Sequence, residues 1–306
     1  MQRYILRRLA QGILAIFVIS TVTFALARVS GDPLNVLLPE EASEEQIALT
    51  KIEWGLDKPL HMQYILFLGK LVQGDLGEAL AWPNTSATEL IIERLPNTVQ
   101  LSAAALLVSG LIAFPVGVLV AIKKDTFIDF GGKMFAILGQ SAPSFAVGLI
   151  LMWIFAVQLD IFPTSGNGGI EYMVLPAIAL GYYNVAALMR LTRSSMLEVL
   201  DTEYVKLARI KGVPEWKIVW KHCFRNALIV PITYFGLIGA VLITGSVVIE
   251  TVFAWPGLGA LVIDAILFRD YVVVQAVVLL FATAFVCINI MVDVLYAYID
   301  PRIRYG

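Results

Sequence analysis

Six apolar runs of about 20 residues set the outer limits on what this 306-residue chain can fold into. They cover about 9–29, 97–121, 135–158, 174–193, 228–249 and 272–296. Each is long enough to cross the hydrocarbon core of a bilayer as a helix. A backbone in lipid must satisfy its own hydrogen bonds, so the spans must be helices. The short alternating segments of a β-barrel are not present. Composition agrees, since 59% of the residues are hydrophobic and only 15% charged, well beyond a soluble domain. The sequence predicts an all-α polytopic membrane protein with six transmembrane helices.

Lysine and arginine placement predicts the orientation. Sixteen of the 22 basic residues fall in segment 1–8, the loop holding Lys123, Lys124 and Lys133, the stretch from Arg190 to Arg225, and the tail with Arg302 and Arg304. The remaining six are Arg28, Lys51, Lys58, Lys70, Arg94 and Arg269. The positive-inside rule puts both termini in the cytoplasm. Arg7-Arg8 and Ala25-Leu26-Ala27 also resemble a cleaved signal peptide. The apolar run exceeds a typical signal core, however, and cleavage would leave an odd number of spans.

Three segments follow: 1–29 as tail and first span, 30–96 as an extracytoplasmic loop, and 97–306 as a core of five spans. Loop 30–96 should be folded. Ser43 with Gln46, and Ser86 with Glu89, fit the capping-box pattern. Gly55 and Gly74 stand where helix C-terminal caps fall. Short surface helices are expected over about 43–54, 60–73 and 87–94. The middle one should pack Tyr64, Phe67, Leu68 and Leu71 on the spans.

Catalytic patterns are lacking. Gly131-Gly132-Lys133 is followed by Met134 and is not a phosphate loop. His61 and His222 fall on opposite sides of the membrane, which excludes a shared metal site, and Cys223 and Cys287 face no oxidising compartment. Ionisable residues cluster at span ends (Arg190, Arg193, Glu250, Asp293), with the arginines free to snorkel. A secondary carrier would instead place charges near the bilayer midplane. Neutral Ser141, Asn184, Tyr234, Thr244 and Ser246 are candidates for a translocation path, with helix–helix hydrogen bonding as the alternative. Pro115 and Pro143 interrupt two spans, and Gly236, Gly239 and Gly245 would permit close helix approach in the fifth.

One charged insert breaks the pattern. Glu203, Tyr204, Lys206, Arg209 and Lys211 alternate with apolar residues, Gly212 and Pro214 punctuate the run, and a second helix is expected over about 214–224. The arrangement suits a soluble partner. A basic helix resting on anionic lipid is the alternative. Small Ala208 and the capping Gly212 argue against it.

Several motifs in order carry a family resemblance: Ser30-Gly31-Asp32-Pro33, Gly55-Leu56-Asp57-Lys58-Pro59, Gly74-Asp75-Leu76-Gly77, Arg190-Leu191-Thr192-Arg193-Ser194-Ser195-Met196, Ala208-Arg209-Ile210-Lys211-Gly212, Ile249-Glu250-Thr251, Trp255-Pro256-Gly257-Leu258-Gly259, Arg269-Asp270-Tyr271 and Asp300-Pro301-Arg302. Together they resemble the permease subunit of ABC importers of the oligopeptide/dipeptide/nickel group, with type I importer architecture. Lys206-Leu207-Ala208 stands where the Glu-Ala-Ala of that family's cytoplasmic "EAA" loop falls. The resemblance implies a second permease subunit, two ATPase subunits carrying ATP and Mg, and an extracytoplasmic binding protein, in a prokaryotic inner membrane. It implies no cofactor on this chain and no nucleic-acid partner. A coupling loop over about 194–227 would use Glu203, Tyr204, Ala208, Arg209, Lys211 and Gly212, with Ala208 against the ATPase groove. The solute could be a small peptide, nickel, glutathione or an oligosaccharide.

Overall fold

The computed structural model describes residues 2–29, 34, 38 and 42–299. The Ser30–Pro33 motif, the tail from 300 on and the side chain of Asp293 lie outside the described residues. Among the described residues the regular structure is helical apart from one isolated bridge between Glu78 and Ser86. Four helices among the described residues are long and apolar enough to span a bilayer, and two bent pairs bring the number to six if each pair counts once.

The chain divides into two compact units, the first Met1–Thr98 with Pro256–Gly306, the second Val99–Trp255. In the first unit α1 (Gln2–Val29) packs along α14 (Tyr271–Ile299). The fit is close at Gly12, where an added Cβ would lie 2.9 Å from both Ile290 and Val286. Helix α2 (Glu44–Glu53) has the expected capping box, with Ser43 Oγ accepting from the Gln46 amide and Gln46 Oε1 accepting from the Ser43 amide. Helix α3 (Leu60–Val72) places Tyr64 and Phe67 against Phe24 of α1, and the Tyr64 hydroxyl hydrogen-bonds with Ser20 and Thr21. The surface helix expected over 87–94 is not separate. It is the start of α4 (Ala87–Ile122), a 36-residue helix that runs through Pro96 and Pro115 without interruption. Buried Asp270 ties this unit together. Its carboxylate accepts from the amides of Leu80 (2.6 Å) and Ala81 (2.9 Å) and caps α14 through Val273.

The second unit is arranged around α7 (Ile170–Leu200). Against it pack α5 (Phe127–Ser141), α6 (Ser144–Leu151, continued as a π-helix Met152–Gln158) and α11 (Ile229–Gly245). Pro143 does more than kink the third expected span: α5 and the helix after it meet at 104°. Proline lacks the amide that would continue the ladder, and its ring clashes with the preceding turn. Two of the glycines expected to permit close approach do not mark one. Gly245 faces open space and Gly239 makes an ordinary contact with Leu106. Close approach occurs at Gly117, where a Cβ would lie 2.9 Å from the Met189 carbonyl, and at Gly181, 2.7 Å from that of Ala105.

Arg193 does not snorkel. It forms a bidentate pair with Asp129 of α5 (Nε to Oδ1 2.7 Å, Nη2 to Oδ2 2.9 Å), and Lys133 Nζ closes on Oδ2 at 2.9 Å. Asp129 is 1% exposed, and the Asp125 amide fills a further acceptor position. Removing the buried Asp129 leaves Arg193, 19% exposed, without its carboxylate, at a cost below the ~3–5 kcal/mol of a fully buried pair. Asp129→Asn should therefore lower thermal stability sharply in detergent. In a double-mutant cycle, Asp129→Ala with Arg193→Ala should cost clearly less than the sum of the single changes. Additive losses would show that the two do not act as a pair.

Candidate functional site: the charged loop after α7

Helix α7 leads through Asp201 into α8 (Glu203–Ile210), and Thr202 marks its N-terminal boundary. Gly212 ends α8 with φ +73°. The Gly212 amide donates to the Arg209 carbonyl and the Val213 amide to that of Ala208, the paired bonds of a Schellman cap. An added Cβ at Gly212 would meet nothing within 4 Å. The requirement there is conformational rather than steric, because side chains with a Cβ resist positive φ.

Beyond the cap the chain turns back as α9 (Glu215–Lys217), a π-helix Ile218–Phe224 and α10 (Arg225–Ala227). The second helix expected over 214–224 is thus present but largely π-helical, and it extends into α10. Arg209 staples the turn, its Nη2 donating to Glu215 Oε1 at 2.8 Å and its Nε to Oε2 at 3.3 Å. That hydrogen bond holds the guanidinium above its ordinary pKa. Glu203 does the same to Lys206, at 3.0 Å. Both pairs are exposed, so they set geometry more than stability. Asn226 Nδ2 donates to the Tyr204 hydroxyl (3.0 Å) and to the His222 carbonyl (2.8 Å), joining the two limbs.

Two faces of α8 result. Val205 is fully buried and Ala208 half-buried, and both pack with Met196, Ile218, Val219 and Cys223. Ala208, expected against the ATPase groove, turns part of its surface to the chain's own core, and its smallness lets α8 sit close on the returning limb and on the end of α7. The outward face carries Tyr204, Leu207 and Ile210, spaced three residues apart and 44%, 50% and 82% exposed. Glu203 and Lys211 border it, both exposed. Sequence reading named Tyr204 for the coupling loop but not Leu207 or Ile210, although the three-residue spacing was there to be read.

The candidate path residues each have partners within the chain. Ser141 and Thr244 hydroxyls donate to carbonyls of their own helices, at Ile137 and Val241. Tyr234 packs among apolar neighbours and Asn184 is buried. Ser246 is fully buried and donates to Glu250 Oε1 at 2.7 Å. Glu250 is not at a solvated span end either; it is fully buried in α12 (Val247–Val252). The Asp129 carboxylate was the other omission, since its partner Arg193 lies 64 positions away.

Comparison with known proteins identifies the family. The model of a family described as the binding-protein-dependent transport system inner membrane component matches residues 113–305, and that of its N-terminal part matches residues 1–102. The oligopeptide transport system permease protein AppB of Bacillus subtilis is 38% identical over the full length of both chains. The glutathione transport system permease protein GsiC of Salmonella typhimurium is 39% identical, again over the whole of both. The di/tripeptide transport system permease protein DppB of Pseudomonas aeruginosa is 39% identical, covering all of this chain and 99% of the relative. One chain of the crystal structure of an amino acid ABC transporter with histidines shares the fold, with a TM-score of 0.53 at 15% identity over 69% of this chain and 94% of that one. With its apolar spans, this chain belongs to the binding-protein-dependent transport system inner membrane components and is a permease component of an ABC importer.

Proposed function

We propose that this chain and a second permease subunit form the membrane path for a short peptide or a peptide-like solute such as glutathione. Full-length similarity to peptide and glutathione permeases supports that substrate class. Nickel and oligosaccharides are the less favoured solutes. An extracytoplasmic binding protein delivers the solute, and two ATPase subunits carrying ATP and Mg supply the energy. This chain hydrolyses no nucleotide and holds no cofactor. It resides in the cytoplasmic membrane of a prokaryote with both termini inside, an orientation that the basic-residue asymmetry supports. Residues 1–29 provide the first span, 30–96 the outer loop, and 97–306 the permease core.

The observation that carries this reading is the apolar face of α8, presented at the tip of a loop capped by Gly212 and stapled by Arg209–Glu215. Leu207, Ile210 and Tyr204 would bury in an ATPase groove, with Glu203 and Lys211 at its rim. Because α8 is packed through Val205 and Ala208 onto the end of α7, a push on α8 moves α7. The paired Asp129 passes that motion to α5. ATP-driven closure of the ATPases thereby biases a two-state equilibrium of the spans.

Ile210→Glu and Leu207→Glu should leave the chain inserted at normal abundance but abolish copurification of the ATPase subunits, because each buries an unpaired charge at the contact. Ala208→Glu should instead lower abundance, since the charge enters the chain's own core. Retained ATPase association and uptake in Ile210→Glu would refute the docking face. Single cysteines at Glu45 and Asp201, in a background lacking Cys223 and Cys287, should react with an impermeant reagent from opposite sides. Labelling of both from outside would overturn the topology.

A further inference from the structure

The limb that returns from α8 to the membrane has an outer face that the docking of α8 does not use. Ile218, Val219, Cys223 and Ala227 pin one side of it to the chain's own core. The opposite side carries Trp216 and Trp220, 65% and 47% exposed, beside exposed Lys217, Lys221 and Arg225. Lys217 Nζ lies 5.5 Å from the centre of the Trp216 ring, and Trp220 meets Phe224 edge-on at 5.3 Å. Lys221 and Arg225 form none of the ion pairs found among the described residues, and the limb's one acid, Glu215, is committed to Arg209. The face is therefore aromatic, cationic and uncompensated.

Position distinguishes among the partners such a face could meet. The limb joins α11, the apolar helix with which it makes up one bent candidate span, at an angle of 56°. At about 1.5 Å per residue, Arg225 lies about 3 Å and Lys217 about 10 Å from Ile229 along the α11 axis. The interfacial layer of one leaflet is on the order of 5–8 Å thick, and charges interact across about 8–10 Å at physiological salt. All three cations thus lie within reach of headgroups, and Trp220, about 8 Å from Ile229 on the same measure, stands at the level where Trp prefers to sit. We propose that residues 216–225 form a binding face for anionic phospholipid headgroups of the cytoplasmic leaflet, clamping the root of α11 while α8 engages the ATPase. Basic side chains next to a span attract acidic lipid, and a lipid-held root gives the loop a fixed point against which α8 can be displaced. The inference rests on the topology and ATPase coupling proposed above.

The test uses the assembled transporter in nanodiscs containing brominated phosphatidylglycerol or brominated phosphatidylcholine. The share of fluorescence quenching owed to Trp216 and Trp220 is taken by difference from a Trp216→Phe/Trp220→Phe variant. The wild type should be quenched by the anionic lipid at a lower mole fraction than by the zwitterionic one. Lys217→Gln/Lys221→Gln/Arg225→Gln should reduce that preference by about tenfold while ATPase copurification persists. Lys217→Arg/Lys221→Arg should keep it, which separates charge loss from misfolding. Equal quenching by both lipids in the wild type would overturn the proposal. So would a glutamine variant that keeps the lipid preference but loses the ATPases, an outcome that assigns the face to protein. Failure of the coupling reading shows differently, as a wild-type chain that copurifies no ATPase at all.

Discussion

Backbone-to-backbone contact along α7 is the interaction on which the second unit depends. Lipid tails are as apolar as leucine, so helices in a membrane gain little by hiding apolar side chains from their surroundings. They associate through close van der Waals contact, which requires small residues where they cross. Gly117 on α4 meets the Met189 carbonyl and Thr192, and Gly181 on α7 itself meets the Ala105 carbonyl. Gly139 on α5 faces Ala186, and Gly148 on α6 faces Ala179 and Phe253. At these points α4, α5 and α6 each meet α7 through a glycine on one side of the contact. Polar ties are added only after that approach has been made. Ser109 Oγ, for example, donates to the Gly181 carbonyl at 3.0 Å and would not reach it across bulkier residues.

How much of this was legible in the sequence depended on distance along the chain. Spans were readable because a bilayer imposes a length, and caps because they are local. Gly55, Gly74 and Gly212 all adopt the positive φ expected of them, and Ser43–Gln46 closes as a capping box. The merging of 87–94 into α4 was not readable, because Pro96 suggests a boundary that tertiary packing overrides. The Asp129–Arg193 pair joins two helices through residues 64 apart, and no local pattern announces it. Gly245 shows the converse error. A glycine in a span suggests close packing, yet this one borders Ser246, the donor to buried Glu250.

The charged loop shows how composition alone can mislead about direction. Its charges drew attention to the correct segment, but they form the rim and the staple of the site. The outward surface of α8 is apolar, and the small residue in its family-like motif packs partly inward. Interfaces commonly have this anatomy, with a hydrophobic centre and a polar border. Here the border also fixes the shape, because Arg209–Glu215 and Tyr204–Asn226 hold α8 against the limb that returns to the bilayer.

The corner at Ala142–Pro143 has a mechanical consequence. A sharp break within a bilayer exposes carbonyls that no helical amide can reach, and lipid offers no substitute donor. The Tyr182 hydroxyl of α7 donates to the Ala142 carbonyl, so the corner's freed acceptor is satisfied from a neighbouring helix. Opening or closing the angle would remove that donor and strand the carbonyl. The bend is therefore braced on α7, and any change of its angle carries the cost of that lost hydrogen bond.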